Sequence, residues 1–86
     1  MRYDTTFNYD YLLEKIKNKY KQNTIMQNIF AFCKDVYYFT PYRFRRVVLL
    51  QHGYFLTNEI VKMSKALDLT DEEILKCFFT LENDNK

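Results

Sequence analysis

Three arginines within four residues, Arg43, Arg45 and Arg46, are the densest recognition chemistry in this chain. A guanidinium is a planar fork of N–H donors that matches guanine O6 and N7, or two phosphate oxygens, bidentately. The three lie in the stretch from Thr40 to His52, which is closed by the only glycine, Gly53. Thr40 can accept from the free amides of a first helical turn, and Pro41 behind it sits where a missing N–H costs nothing. Gly53 tolerates the left-handed conformation that ends helices. The spacing therefore predicts a helix over 41–51 that exposes Tyr42, Arg43, Arg45 and Arg46 and buries Phe44, Val47 and either Leu50 or Val48. Arg43 and Arg46, three apart on one face, are the expected base readers. Arg45, Tyr42 and Tyr38 are expected on phosphates, with Gln51 and His52 as further contacts. The same cationic helix equally fits an acidic protein surface.

Other chemistry is poorly supplied. His52 has no acidic partner at helical spacing and reads as a dipole contact at a helix C-terminus. Cys33 and Cys77 stand 44 positions apart with a single histidine in the chain, which fits no zinc or redox spacing and predicts two buried thiols. One glycine excludes a Gly-rich phosphate loop, and Glu72-Glu73 is explained by helix capping. The expected protein is not an enzyme and needs no metal or cofactor.

Charge and composition narrow the partner. Residues 1–52 hold nine Lys/Arg against four Asp/Glu, while residues 53–86 hold four against seven, so the net charge of +2 conceals a basic first half and an acidic second. A basic first half suits a polyanion, because counterion release on neutralising phosphates supplies most of the affinity of a small DNA-binding domain. Eight Phe and eight Tyr, 19% of 86 residues, supply core for one small domain ordered over about 7–81. No leader pattern opens the chain and no apolar run approaches the roughly 18 residues that would span a bilayer. A soluble, intracellular protein without a membrane partner is expected.

Five helices are predicted to position the arginines. Asp10 caps the first, over 11–21, with Leu12, Leu13, Ile16 and Tyr20 inward and four lysines largely solvated. Thr24 caps the second, from Ile25 to Lys34 or Asp35, whose nearly all-round apolar surface marks it as the centre of the bundle. Val36–Phe39 reads as a connector. Beyond the arginine helix, Thr57 caps a fourth over 58–67 with Ile60, Val61, Met63 and Leu67 inward. Thr70-Asp71-Glu72-Glu73 is a capping box that starts a fifth, carrying Ile74, Leu75, Phe78 and Phe79 and ending near Leu81. Residues 1–6 read as a polar lead-in and 83–86 as frayed. The fold class is all-α, a compact five-helix bundle.

The order of residues adds a resemblance. Phe7-Asn8-Tyr9-Asp10-Tyr11-Leu12 with Lys15-Ile16 resembles the opening of short phage repressors of the Cro-like helix-turn-helix class. Phe55-Leu56-Thr57-Asn58-Glu59-Ile60, Asp71-Glu72-Glu73-Ile74 and Cys77-Phe78-Phe79-Thr80 are similar to the far end of the same family. Together these stretches cover about half of the chain. The resemblance implies a Cro/lambda-repressor-like DNA-binding domain, dimeric on operator DNA, in the cytoplasm of a bacterial host. The middle departs from the pattern: Phe30-Ala31 is in place, but the turn is Lys34-Asp35-Val36, with Asp35 the residue best suited to a left-handed conformation. Bulky Tyr42-Arg43-Phe44-Arg45-Arg46 stands where small polar base readers are usual.

Two functions follow. One is a phage or mobile-element transcription regulator that places helix 41–51 in the major groove of double-stranded DNA. The other is a repressor scaffold turned to protein binding, in which the Tyr/Arg surface 37–46 grips a host or phage protein, since Tyr and Arg dominate binding hot spots.

Overall fold

The structure is a computed structural model that describes residues 7–81. The polar lead-in 1–6 and the expected fraying at 83–86 lie outside the described residues. Five helices follow in order, α1 (Asp10–Tyr20), α2 (Ile25–Lys34), α3 (Pro41–Val48), α4 (Thr57–Leu67) and α5 (Asp71–Phe78), and the bundle is all-α. The two ends of the described chain meet, with Phe7 bridging Leu81 and the Asn8 amide donating to the Thr80 carbonyl at 2.7 Å.

Helix starts follow local chemistry. The hydroxyls of Thr24, Thr40 and Thr70 each accept the amide three residues on, at 3.1, 3.2 and 3.2 Å, and Glu73 returns the favour to the Thr70 amide at 2.9 Å. Each such cap is worth about 1 kcal/mol. Two starts differ from expectation. Asp10 is the first residue of α1 and not its cap; Tyr9 is drawn into the core against Phe55, and the Asn8 side chain accepts the Asp10 amide instead. α4 begins at Thr57 with Leu56 in the cap position, where the Glu59 carboxylate accepts the Leu56 amide at 2.7 Å.

Aromatic rings run through the centre of the core. Phe44, fully buried, meets Phe32, Phe39 and Phe55 at centroid distances of 5.7, 6.3 and 5.9 Å, and Phe55 continues to Tyr9 and Phe78. Edge-to-face and tilted ring pairs of this kind add roughly 0.5–1.5 kcal/mol each beyond area burial. The organising helix is α1, which packs on α2, α4 and α5, and not α2. α2 buries Ile29, Phe32 and Cys33 but leaves Ile25 and Phe30 exposed, so it is one-sided despite its composition. On α4, Val61 faces solvent and Ser64 takes the inward place. α5 ends at Phe78, with Leu75 and Phe79 exposed and Cys77 fully buried. Both cysteines are free and buried. No helix among the described residues is long and apolar enough to cross a membrane.

The α2–α3 connection runs over residues 35–40, longer than the 3–4 residues usual for a helix-turn-helix. Asp35 stays right-handed at φ −87°, and the left-handed residue is Tyr38 at φ 52°. The reversal is displaced because Val36 and Phe39 must both reach the core, which forces the turn into the two residues between them.

Candidate nucleic-acid interface

α3 is shorter than its sequence suggests. It ends at Val48, after which the Leu50 amide donates to the Arg45 carbonyl, Gln51 turns left-handed at φ 58°, and the His52 amide donates to the Arg46 carbonyl. The chain leaves the helix early because Phe55, only seven residues on, is buried beside Phe44. Gly53, at φ 80°, serves that exit loop and does not stop the helix. Leu50 is accordingly exposed, and Val48 is the residue that joins Phe44 and Val47 in the core.

This geometry sorts the three arginines. Winding at about 100° per residue centres the buried stripe of Phe44, Val47 and Val48 roughly 90° from Arg43 and roughly 150° from Arg46. Arg43 thus borders the seam with the rest of the protein, whereas Arg46, Tyr42 and Leu49 point away from it. At the seam Arg43 is held. Its Nε and Nη2 donate to the two Glu59 carboxylate oxygens at 2.9 Å each, and Nη2 also donates to the Tyr54 carbonyl at 2.8 Å. The hydrogen bond from Arg43 pulls the Glu59 carboxyl below its ordinary value, and the same bond raises the guanidinium further. Glu59 also accepts the Leu56 amide, so the pair joins the first turn of α3 to the start of α4. The expectation of Arg43 as a base reader is therefore corrected: its fork already has a bidentate partner.

Arg45 and Arg46 are exposed, and neither forms an ion pair with another described residue. Tyr42, on the same outward side as Arg46, is 69% exposed. Tyr38 is 84% exposed on the preceding loop. Gln51 and His52 do not extend the helical face, since both lie beyond its end; the Gln51 side chain donates to the Phe7 carbonyl at 3.3 Å. Of the lysines on α1 and its C-cap, Lys15 pairs with Glu73 at 2.7 Å, Lys19 donates to the Ala66 carbonyl while remaining exposed, and Lys17 and the cap residue Lys21 are exposed as well.

The residues brought together are thus Tyr42, Arg45 and Arg46, flanked by Leu49. Two participants went unread in the sequence. Glu59 is 16 residues from Arg43 and enters the sequence reading only within the repressor-like run 55–60, and Lys62, whose Nζ lies 5.8 Å from the Tyr37 ring centroid, carries no local sign of that role. No protein-family model, characterised protein or solved structure matches this chain.

Proposed function

We propose that this protein is a DNA-binding transcription regulator of the Cro-like repressor type, acting as a dimer that lays α3 in the major groove of operator DNA. The observation that carries the reading is the pair of exposed guanidiniums at Arg45 and Arg46, which form no ion pair with another described residue. They stand on the solvent side of a capped helix, while the adjacent carboxylate, Glu59, is consumed by Arg43. An eight-residue helix is about 12 Å long, the width of the groove it would enter. Arg46 is assigned to guanine and Arg45 and Tyr42 to phosphates. The resemblance of both chain ends to phage repressors supports the same reading.

The test is titration of the protein onto duplex DNA from upstream of its own gene at several salt concentrations. If six or so phosphates are neutralised, affinity falls by about 10³-fold or more between about 50 and 200 mM salt. Arg46→Ala then relaxes preference at one base pair at a cost of about 1–3 kcal/mol, and Arg45→Ala lowers the salt slope by about 1. Binding with no salt slope, or unchanged in the double variant, overturns the proposal.

A second reading, capture of a host or phage protein, is favoured by the exposure of Tyr37, Tyr38 and Tyr42 beside those arginines. It predicts retention on a protein partner that survives high salt.

A further inference from the structure

The loop before α3 is built in a way that groove reading by Arg45 and Arg46 does not require. Val36 and Phe39 are buried at 3% and 7%, and the two residues between them, Tyr37 and Tyr38, are 69% and 84% exposed. Tyr38 holds a left-handed backbone, which a bulky residue adopts only when its surroundings impose it. Both anchors impose it here. The two rings lie 4.2 Å apart at 50°, and the Lys62 ammonium of α4 stands 5.8 Å from the centre of the Tyr37 ring. The buried anchors on either side thus set the two rings next to each other at the tip of the loop before any ligand arrives.

Its electrostatic surroundings are cationic. Residues 34–46 hold four basic residues and one acidic one, Asp35, whose carboxylate accepts the Tyr20 hydroxyl at 2.5 Å. Glu59 is engaged by Arg43. What remains is a pair of exposed rings with the Lys62 ammonium over one of them and the exposed Arg45 and Arg46 on the helix that follows, and the matching ligand is a planar ring on an anionic backbone. A nucleotide has that chemistry. An apolar protein anchor gains nothing from the cations.

We infer that Tyr37 and Tyr38 form a stacking wedge for a nucleobase next to the α3 footprint, so that the protein binds DNA most tightly where a base is already unstacked. The inference rests on the DNA-binding reading above. It goes further, because duplex reading by α3 needs no unpaired base.

The test compares two labelled DNA pools by fluorescence anisotropy at about 50 mM salt, one of fully paired random duplexes and one of the same duplexes with a short central mismatch. The wild type is expected to favour the mismatched pool by about five- to 150-fold, the range of stacking on an aromatic side chain. Tyr38→Phe keeps that preference. Tyr37→Ala/Tyr38→Ala loses it, and so does Tyr38→Gly, which suits the left-handed backbone and so guards against misfolding. Equal wild-type affinity for the two pools overturns the wedge and leaves the α3 reading standing. A preference that survives in Tyr38→Gly and the double variant also overturns it. Absence of binding to either pool removes both.

Discussion

Arg43 and its neighbours Arg45 and Arg46 should separate cleanly into stability and binding. Arg43 makes three hydrogen bonds, two of them to a carboxylate, and its side chain is 31% exposed against 14% for Glu59. An exposed ion pair is worth about 0–1 kcal/mol and breaking a fully buried one costs about 3–5, so a half-shielded bidentate pair falls near 2 kcal/mol. Glu59 keeps the Leu56 amide after truncation, which limits the loss. For a chain of this size about 2 kcal/mol lowers Tm by roughly 8–16 °C. Arg43→Ala should show that drop by circular dichroism, while its DNA affinity, measured well below Tm, stays within about twofold of wild type. Arg45→Ala and Arg46→Ala should do the reverse, leaving Tm unchanged and weakening DNA binding. The pair also sets an acid limb. Because the folded Glu59 carboxyl is held below its ordinary 4.5, its stabilisation is present above that value and disappears as pH falls through the folded pKa. Arg43→Ala should therefore flatten the loss of Tm below about pH 4.5. An Arg43→Ala protein with wild-type Tm and no DNA affinity would show that the guanidinium works on the ligand and that the strut is wrongly assigned.

Two other outcomes are expected. The Lys15 ammonium, followed by the Thr70 amide, holds the Glu73 carboxyl down to about 2, so its contribution is complete above the ordinary 4.5 and is lost as pH falls from there through about 2. Lys15→Met should let Glu73 titrate higher and move the acid-unfolding midpoint upward, read by far-ultraviolet circular dichroism; an unmoved midpoint would mean that the α1–α5 pair carries no linkage. Burial raises the Cys33 and Cys77 thiols to about 12 and about 11, which leaves almost no thiolate at neutral pH. Both should react with a thiol reagent only at the rate of unfolding, and rapid native-state modification of either would contradict the packing of α2 and α5.

Local features were legible and non-local ones were not. Thr24, Thr40 and Thr70 reveal their helices because a hydroxyl reaches an amide three residues away, and nothing distant can alter that distance much. Phe44, Val47, Met63 and Phe78 reveal their burial through helical spacing. The end of α3 was misread because the apolar run Val47–Leu50 contains no stop, and the decision lies with Phe55, which competes for space beside Phe44. The centre of the bundle was misread for a related reason. α2 is richer in apolar residues, but which helix lies at the middle depends on how many neighbours it touches, and α1 achieves that with Leu12 and Ile16 fully buried among mostly charged residues.

Arg43 illustrates why composition overstated the cationic surface. Counting charges along 40–46 gives three equivalent arginines, yet the helix sets Arg43 and Arg45 on opposite flanks of the buried stripe and Arg46 on the far side, and only position 43 borders the seam where α4 begins. A carboxylate at Glu59, free on paper, is then within reach of one arginine. The same pairing that removes Arg43 from the interface also neutralises the acidic group nearest to it. A chain with glutamine at position 59 would show three exposed arginines but a looser α3, whereas this chain presents two on a fixed rod. Because loss of the strut is read in Tm and not in affinity, Glu59→Gln should bind DNA at low salt as well as or better than wild type, since it adds a net positive charge and releases a third guanidinium. Weaker binding would contradict the division of the arginines into stability and recognition.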